Sequence, residues 1–147
     1  MNQPTTPTRG ERIVAYLDAA ITAREEAAHS APRGPWSVRL DDDAVVAPDG
    51  ITVAEVFALG GQQTRAILDL IALHDSTEVL RHCAADRKLI ELHTPAEWPS
   101  QASAVCLTCS DWNHNVAMGD DSASAVPFPC PTIIALAEGY GWTEDAR

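Results

Sequence analysis

The stretches Cys106-Leu107-Thr108-Cys109 and Pro129-Cys130-Pro131-Thr132 decide how the C-terminal part of this chain folds. A Cys-x-x-Cys turn presents two thiolates from one short turn, and Cys130 adds a third at a spacing on the long edge of zinc patterns. Cys130 also precedes a predicted helix, whose N-terminal dipole favours a thiolate. The pattern therefore predicts that Cys106, Cys109 and Cys130 are ligands of a structural zinc ion.

A tetrahedral zinc site needs a fourth ligand, and three residues compete for that place. His93 ends a predicted helix shortly before the cysteine turn, and His114 lies close behind Cys109. Cys83 and His93 are about 15 Å apart along one straight helix, so they cannot both reach the same ion. Cys83 lies among apolar neighbours, as a buried thiol does. The spacing favours His93 and leaves His114 and Cys83 as alternatives.

Other chemistry of the cysteines fits the sequence less well. A thioredoxin-like redox pair sits at a helix start, whereas the residues after Cys109 are typical of a loop. A zinc deaminase needs a His-x-Glu motif, which this chain lacks. Simply buried thiols are the remaining alternative. We expect the nearby tryptophans to pack around the metal-binding segment: Trp98, Trp112 and Trp142.

Composition limits the classes of partner. The 147 residues carry 10 Lys and Arg against 21 Asp and Glu, a formal net charge of -11. Such a field repels phosphate backbones, so nucleic-acid binding is disfavoured. Three basic residues lie close together on one segment: Arg81, Arg87 and Lys88. They leave a local basic helix face, and with it a zinc-lobe nucleic-acid binder, as an alternative.

Apolar runs are short, and none approaches the roughly 18 to 20 residues of a membrane-spanning helix. The N-terminal residues are polar and show no secretory apolar core. We expect a cytoplasmic protein without membrane contact, whose four cysteines stay reduced and available to a metal.

The residue pattern predicts an α+β fold. Apolar residues at helical spacing follow a capping box at Thr8 and Glu11, and two further helical patterns follow Gly61 and Asp75. Alternating residues between them predict a three-stranded antiparallel meander. We expect an N-terminal helix of four or five turns, strands at 36–40, 44–47 and 51–57, helices at 62–73 and 75–93, irregular chain at 96–105, and a short helix at 131–138 capped by Gly139.

We expect residues 1–147 to form a single domain, because no repeat or linker divides the chain. Within it we predict a flexible lead-in at 1–7, an α+β core at 8–93, a zinc-bound lobe at 94–142 and a tail at 143–147.

The order of these motifs resembles a family of uncharacterised small proteins of actinobacteria and their phages. The resemblance covers most of residues 10 to 142, on the Gly34-Pro35-Trp36 turn, the His74-Asp75 helix start and a His…Cys-x-x-Cys…Pro-Cys-Pro-Thr signature. It departs from the family at Arg33 and Ser76, where members typically have proline. The resemblance implies that His93 and the three cysteines belong together, and it implies no activity.

We therefore expect a non-enzymatic, zinc-stabilised interaction protein, such as a phage accessory factor that binds a host protein. The alternative to a binding role is a zinc-dependent hydrolase with an acid or base such as Glu91, Glu97 or Asp111 beside a metal-bound water.

Overall fold

The computed structural model describes residues 6–58, 60–97, 101–110 and 125–144. Within these ranges the elements follow the predicted order and confirm the α+β fold class. They are α1 (Arg9–Ser30), β1 (Ser37–Arg39), β2 (Ala44–Val46), β3 (Thr52–Glu55), α2 (Gly61–Leu73), α3 (Ser76–Leu92), β4 (Pro95–Ala96), β5 (Val105–Cys106) and α4 (Pro131–Gly139).

Two compact units make up the chain, one of residues 1–20 and 86–147 and the other of residues 21–85. Helices α1 and α3 contribute residues to both units. The expectation of a single domain stays a prediction. No helix in the described part of the chain has the length and the apolar character that crossing a bilayer requires.

The unit of residues 21–85 contains the predicted meander, with β2 between β1 and β3 and both pairs antiparallel. Val45 pairs with Val38 on one side and Ala54 on the other. Ala44 and Val45 are fully buried, and α2 packs against β1 and β2 with Leu68 fully buried on its own inner face. A sheet of three short strands needs a buried apolar face or a packed helix to be stable. Burial of these side chains against α2 supplies that stabilisation.

The turn before β1 is bonded to the start of α3. The hydroxyl of Ser76 donates to the carbonyl of Pro32 at 2.8 Å, and it accepts from the N–H of Gly34 at 3.0 Å. A Cβ on Gly34 would lie 2.2 Å from Oδ1 of Asp75, the oxygen that caps α3 by accepting from the N–H of Glu78 at 2.9 Å. Only glycine fits this close approach.

The unit of residues 1–20 and 86–147 is built on the start of α1. The predicted capping box is present: the N–H of Thr8 donates to Glu11 at 2.6 Å, and the N–H of Glu11 donates to the Thr8 hydroxyl at 3.2 Å. Helix α1 is 22 residues long, about six turns, so the predicted length was too short. Its buried face joins α4 and two of the cysteines in one apolar cluster: Ile13, Leu17, Cys106, Cys130, Ile133, Ala137 and Trp142.

Residues 96–105 were predicted to be irregular, and that prediction was wrong at both ends. Pro95 pairs with Cys106 and Ala96 with Val105 in a two-stranded antiparallel ladder. Val105 also forms a bridge to Pro127. The ladder brings the residues after α3 beside the cysteine turn.

The end of α4 also differs from the prediction. Gly139 is still helical, and the left-handed residue is Gly141, with φ of 94°. The N–H of Gly141 donates to Glu138 and that of Trp142 to Ala137, both at 2.9 Å, which is the Schellman pattern. This ending buries Trp142, whose ring meets Tyr16 edge-on at 5.2 Å between centroids. The cap of the helix therefore lies two residues later than predicted, at the turn that brings Trp142 back into the apolar cluster.

Candidate metal centre

His93 lies directly behind the last helical residue of α3, and its N–H still donates to the carbonyl of Leu89 at 3.1 Å. Its Nδ1 atom faces three sulfur atoms. The Sγ atoms of Cys106, Cys109 and Cys130 lie 3.4, 3.3 and 3.5 Å from it. The end of one helix thus supplies a nitrogen to three thiols that come from two other segments.

The cysteine turn is held by backbone hydrogen bonds on both sides. The N–H of Cys106 donates to Val126 at 2.8 Å, and its carbonyl accepts from Ser110 at 3.0 Å, which closes the turn. The N–H of Leu107 donates to Thr94 at 3.0 Å. Cys106 is fully buried and Cys109 half-buried. Both thiols therefore project from a turn that is anchored to the residue after His93.

Two hydroxyl groups add to this anchoring. The Thr108 hydroxyl donates to the carbonyl of Leu92, at the end of α3. The Ser110 hydroxyl accepts from the N–H of Val126 at 3.1 Å, and Ser110 is buried. These bonds tie the turn to the helix that precedes His93 and to the segment that leads to Cys130.

Cys130 occupies the N-cap of α4, with Pro131 in the first helical position. Burial opposes its ionisation most strongly. The N–H of Ile133 and the two other cysteines outweigh burial, with a smaller contribution from the N–H of Thr132, so the pKa of Cys130 lies below its ordinary value. The predicted effect of the helix start on this thiolate is present.

Cys109 behaves in the opposite way. Burial, followed by hydrogen bonds with the sulfur atoms of Cys106 and Cys130, raises the pKa of Cys109 to about 12. One thiolate next to two further thiols discourages a second negative charge in the same place. A divalent cation at the centre of the four side chains is the group that would let all three sulfurs be thiolates.

The distances can be tested against zinc. Zinc lies about 2.3 Å from sulfur and about 2.0 to 2.1 Å from imidazole nitrogen, so a tetrahedron separates S and N ligand atoms by about 3.6 Å. The three observed separations are 3.3 to 3.5 Å, and all four ligand atoms lie within 4.8 Å of one another. The donor set and its size fit a zinc ion.

Other residues singled out by the sequence lie elsewhere. Cys83 is buried in the unit of residues 21–85, as expected for a thiol among apolar neighbours. Trp142 lies in the apolar cluster with Cys106 and Cys130. In the described residues the metal-binding group includes no carboxylate, so Glu91 and Glu97 are not part of it. His114, Asp111, Trp98 and Trp112 lie outside the described residues.

The fold and this group of side chains define a small α+β protein with a candidate Cys₃His metal site. The chain belongs to the family of unknown function DUF6221, whose model matches residues 10–141. The expected resemblance to an uncharacterised family is confirmed, while an origin in actinobacteria or their phages stays a prediction. Comparison with curated proteins and with solved structures finds no match.

Proposed function

We propose that His93, Cys106, Cys109 and Cys130 bind one zinc ion as a closed structural site. The observation that carries this proposal is the position of His93 Nδ1, within 3.5 Å of all three sulfur atoms. Four protein ligands complete the coordination of a structural zinc ion and leave no place for a substrate. The ion would crosslink the end of α3, the cysteine turn and the start of α4.

The donor set supports zinc among the metals. Three thiolates with one imidazole are soft to borderline ligands, and tetrahedral S and N coordination is typical of zinc. Thiolate ligands must stay reduced, and a reducing cytoplasm is therefore the compartment that we propose. Iron is the principal competitor, and metal analysis distinguishes the two.

A closed site supports a non-enzymatic role. A hydrolase would need an open coordination position and an acid or base within hydrogen-bond reach of a bound water. Four side chains in contact distance around one point favour the structural alternative. The protein would then act by binding another protein, and a host protein is the partner that we propose.

The charge distribution supports a protein partner over nucleic acid. Arg81 forms an ion pair with Glu78, and Arg87 donates to Asp18 at 2.9 Å. Of the basic residues on α3, these two arginines are therefore matched by carboxylates. Together with a net charge of -11, the pairs disfavour contact with phosphates.

The test is metal analysis of the purified protein with three variants. We expect about one zinc per wild-type chain, and loss of the metal in Cys109→Ser and His93→Ala, because each removes a ligand. Cys83→Ser is the matched control: it makes the same chemical change at a buried thiol outside the group, and it should keep the zinc. Thermal unfolding should shift to lower temperature in the two ligand variants far more than in the control.

Two results would overturn the proposal. One is a wild-type protein purified without metal that also fails to bind added zinc. The other is a ligand variant that loses the metal yet unfolds like the wild type, since a structural ion must contribute to stability.

A further inference from the structure

A groove of about 500 Å³ lies between the first turns of α1 and the last turns of α3, within the unit that carries the candidate metal site. Its floor is apolar and its edges are charged. The apolar lining consists of Gly10, Val14, Ala15, Ile90, Pro95 and Phe128. The four other lining residues are charged, so the polar groups of the groove lie at its edges.

Contacts between helices and loops define both ends of the groove. At one end Gly10 touches the ring of Phe128, since a Cβ there would lie 2.8 Å from two ring carbons. At the other end Arg87 of α3 donates to Asp18 of α1 at 2.9 Å. From Gly10 to Asp18 the helix rises about 12 Å. This length matches two turns of a helix laid along the groove.

The rim is acidic. Glu11, Asp18 and Glu91 line the groove together with one cation, Arg87, which already contacts Asp18. Hydrogen bonds from the backbone and then the hydroxyl of Thr8 hold the pKa of Glu11 below its ordinary value. Three carboxylates face one guanidinium, so an occupant that brings its own cations is favoured.

From this charge and shape we propose that the groove binds a basic amphipathic segment of a partner protein, with apolar side chains on the floor and Lys or Arg at the acidic rim. The proposal rests on the interaction role proposed above and names the chemistry of the partner. An amphipathic helix in an apolar groove is a recurrent mode of peptide recognition. A second copy of this chain fits less well, because each copy carries a net charge of -11.

The candidate metal site would support this groove. Pro95 and Glu91 each lie two residues from His93, and Phe128 lies two residues before Cys130. An ion that holds His93 and Cys130 together would therefore fix the apolar wall against α1. Zinc would then act on binding through the shape of the groove and without touching the partner.

A synthetic helical peptide provides the probe. We choose a fluorescent 14-residue amide with Leu on one face and Lys on the other, and a counterpart in which Glu replaces every Lys. Fluorescence anisotropy with the zinc-loaded, full-length protein should give a micromolar Kd for the Lys peptide and no binding for the Glu peptide. Raising the salt from 50 to 500 mM should weaken binding about threefold or more, because the rim is solvent-exposed.

Two pairs of variants separate the groove from the general charge. Glu91→Lys should raise the Kd about fivefold, whereas Glu26→Lys, an exposed change of equal charge on α1 outside the groove, should alter it less than about twofold. Ala15→Trp should fill the groove and raise the Kd about tenfold or more. Ala27→Trp, also exposed on α1 and outside the groove, should leave binding unchanged.

Equal effects of Glu91→Lys and Glu26→Lys would overturn the proposal, since only net charge would then matter. Equal binding of the Lys and Glu peptides would overturn it as well. Light scattering that shows a dimer disrupted by Ala15→Trp would assign the groove to a second copy instead. A protein that holds one zinc yet binds neither peptide refutes the groove proposal and leaves the structural site intact. A protein that binds no zinc, even when zinc is added, refutes the site whatever the peptide does.

Discussion

The described residues form two small antiparallel sheets that differ in size and in the side chains around them. The meander, β1 to β3, pairs three strands over buried Ala44 and Val45. The ladder of β4 and β5 pairs only two residues with two, and the Cys₃His group lies beside it. A pair of two-residue strands buries too little to persist alone. We therefore expect one sheet to depend on its own apolar pattern and the other to depend on the candidate metal site.

Removal of the proposed zinc ion is the strongest test of this comparison. With a chelator, we expect amide exchange to become faster at Cys106, Leu107 and Phe128, whose N–H groups hold the ladder and the cysteine turn. The meander amides of Ala47 and Val56 should retain more protection, because apolar burial holds them. Added zinc should restore the first group.

Hydrogen exchange followed by mass spectrometry or NMR measures both groups in one sample. Simultaneous loss of protection in both would show that the two regions open as one cooperative unit. No change in either would show that the ladder needs no metal.

A pair of substitutions on α2 tests the meander. Leu68→Ala empties a fully buried position on α2 and should lower the free energy of unfolding by about 3 kcal/mol. Leu70→Ala on the same helix removes a side chain that is 57% exposed and should change it by less than about 0.5 kcal/mol. Urea unfolding measures both, and zinc content should stay at about one in each. Loss of zinc in Leu68→Ala would contradict the separate origins of the two sheets.

The smallest effect concerns α4, which starts directly after the candidate ligand Cys130 and ends at a glycine turn. Gly141→Ala should destabilise by about 1 kcal/mol, because Gly141 has a positive φ and a Cβ would lie 3.4 Å from the Tyr16 hydroxyl. Gly139→Ala should be neutral or stabilise by about 0.5 kcal/mol, since Gly139 is helical and nothing lies within 4 Å of its Cβ position. Thermal unfolding of the two variants measures both effects. If both substitutions destabilised the protein equally, the end of α4 would not be set by local backbone geometry.

Much of the fold could be predicted because its elements are periodic. The helices repeat apolar residues at helical spacing, and the capping residues Thr8 and Asp75 mark two helix starts that the structure confirms. The ladder of β4 and β5 could not be predicted, because two residues show no period and the partners of Pro95 and Ala96 lie far along the chain. The groove was missed for the same reason: it is made by residues from three separate segments.

The candidate site was predictable in part. Cys-x-x-Cys and Cys130 are recognisable from spacing, whereas the choice of His93 over His114 depends on where α3 ends. Helix α3 runs without a break to Leu92, and this places His93 at the mouth of the cysteine turn. The cap at Gly141 instead of Gly139 depends on the burial of Trp142, which no local pattern reveals.

The bond between the Ser110 hydroxyl and the N–H of Val126 has a practical consequence for protein engineering. It holds residues 110 and 126, on the connection between Cys109 and Cys130, within hydrogen-bond distance of each other. We therefore expect that an insertion between residues 110 and 126 leaves the candidate ligand geometry and the acidic groove unchanged. A fluorescent label, an affinity tag or a small folded domain placed there would report on the metal site or the groove without contacting them.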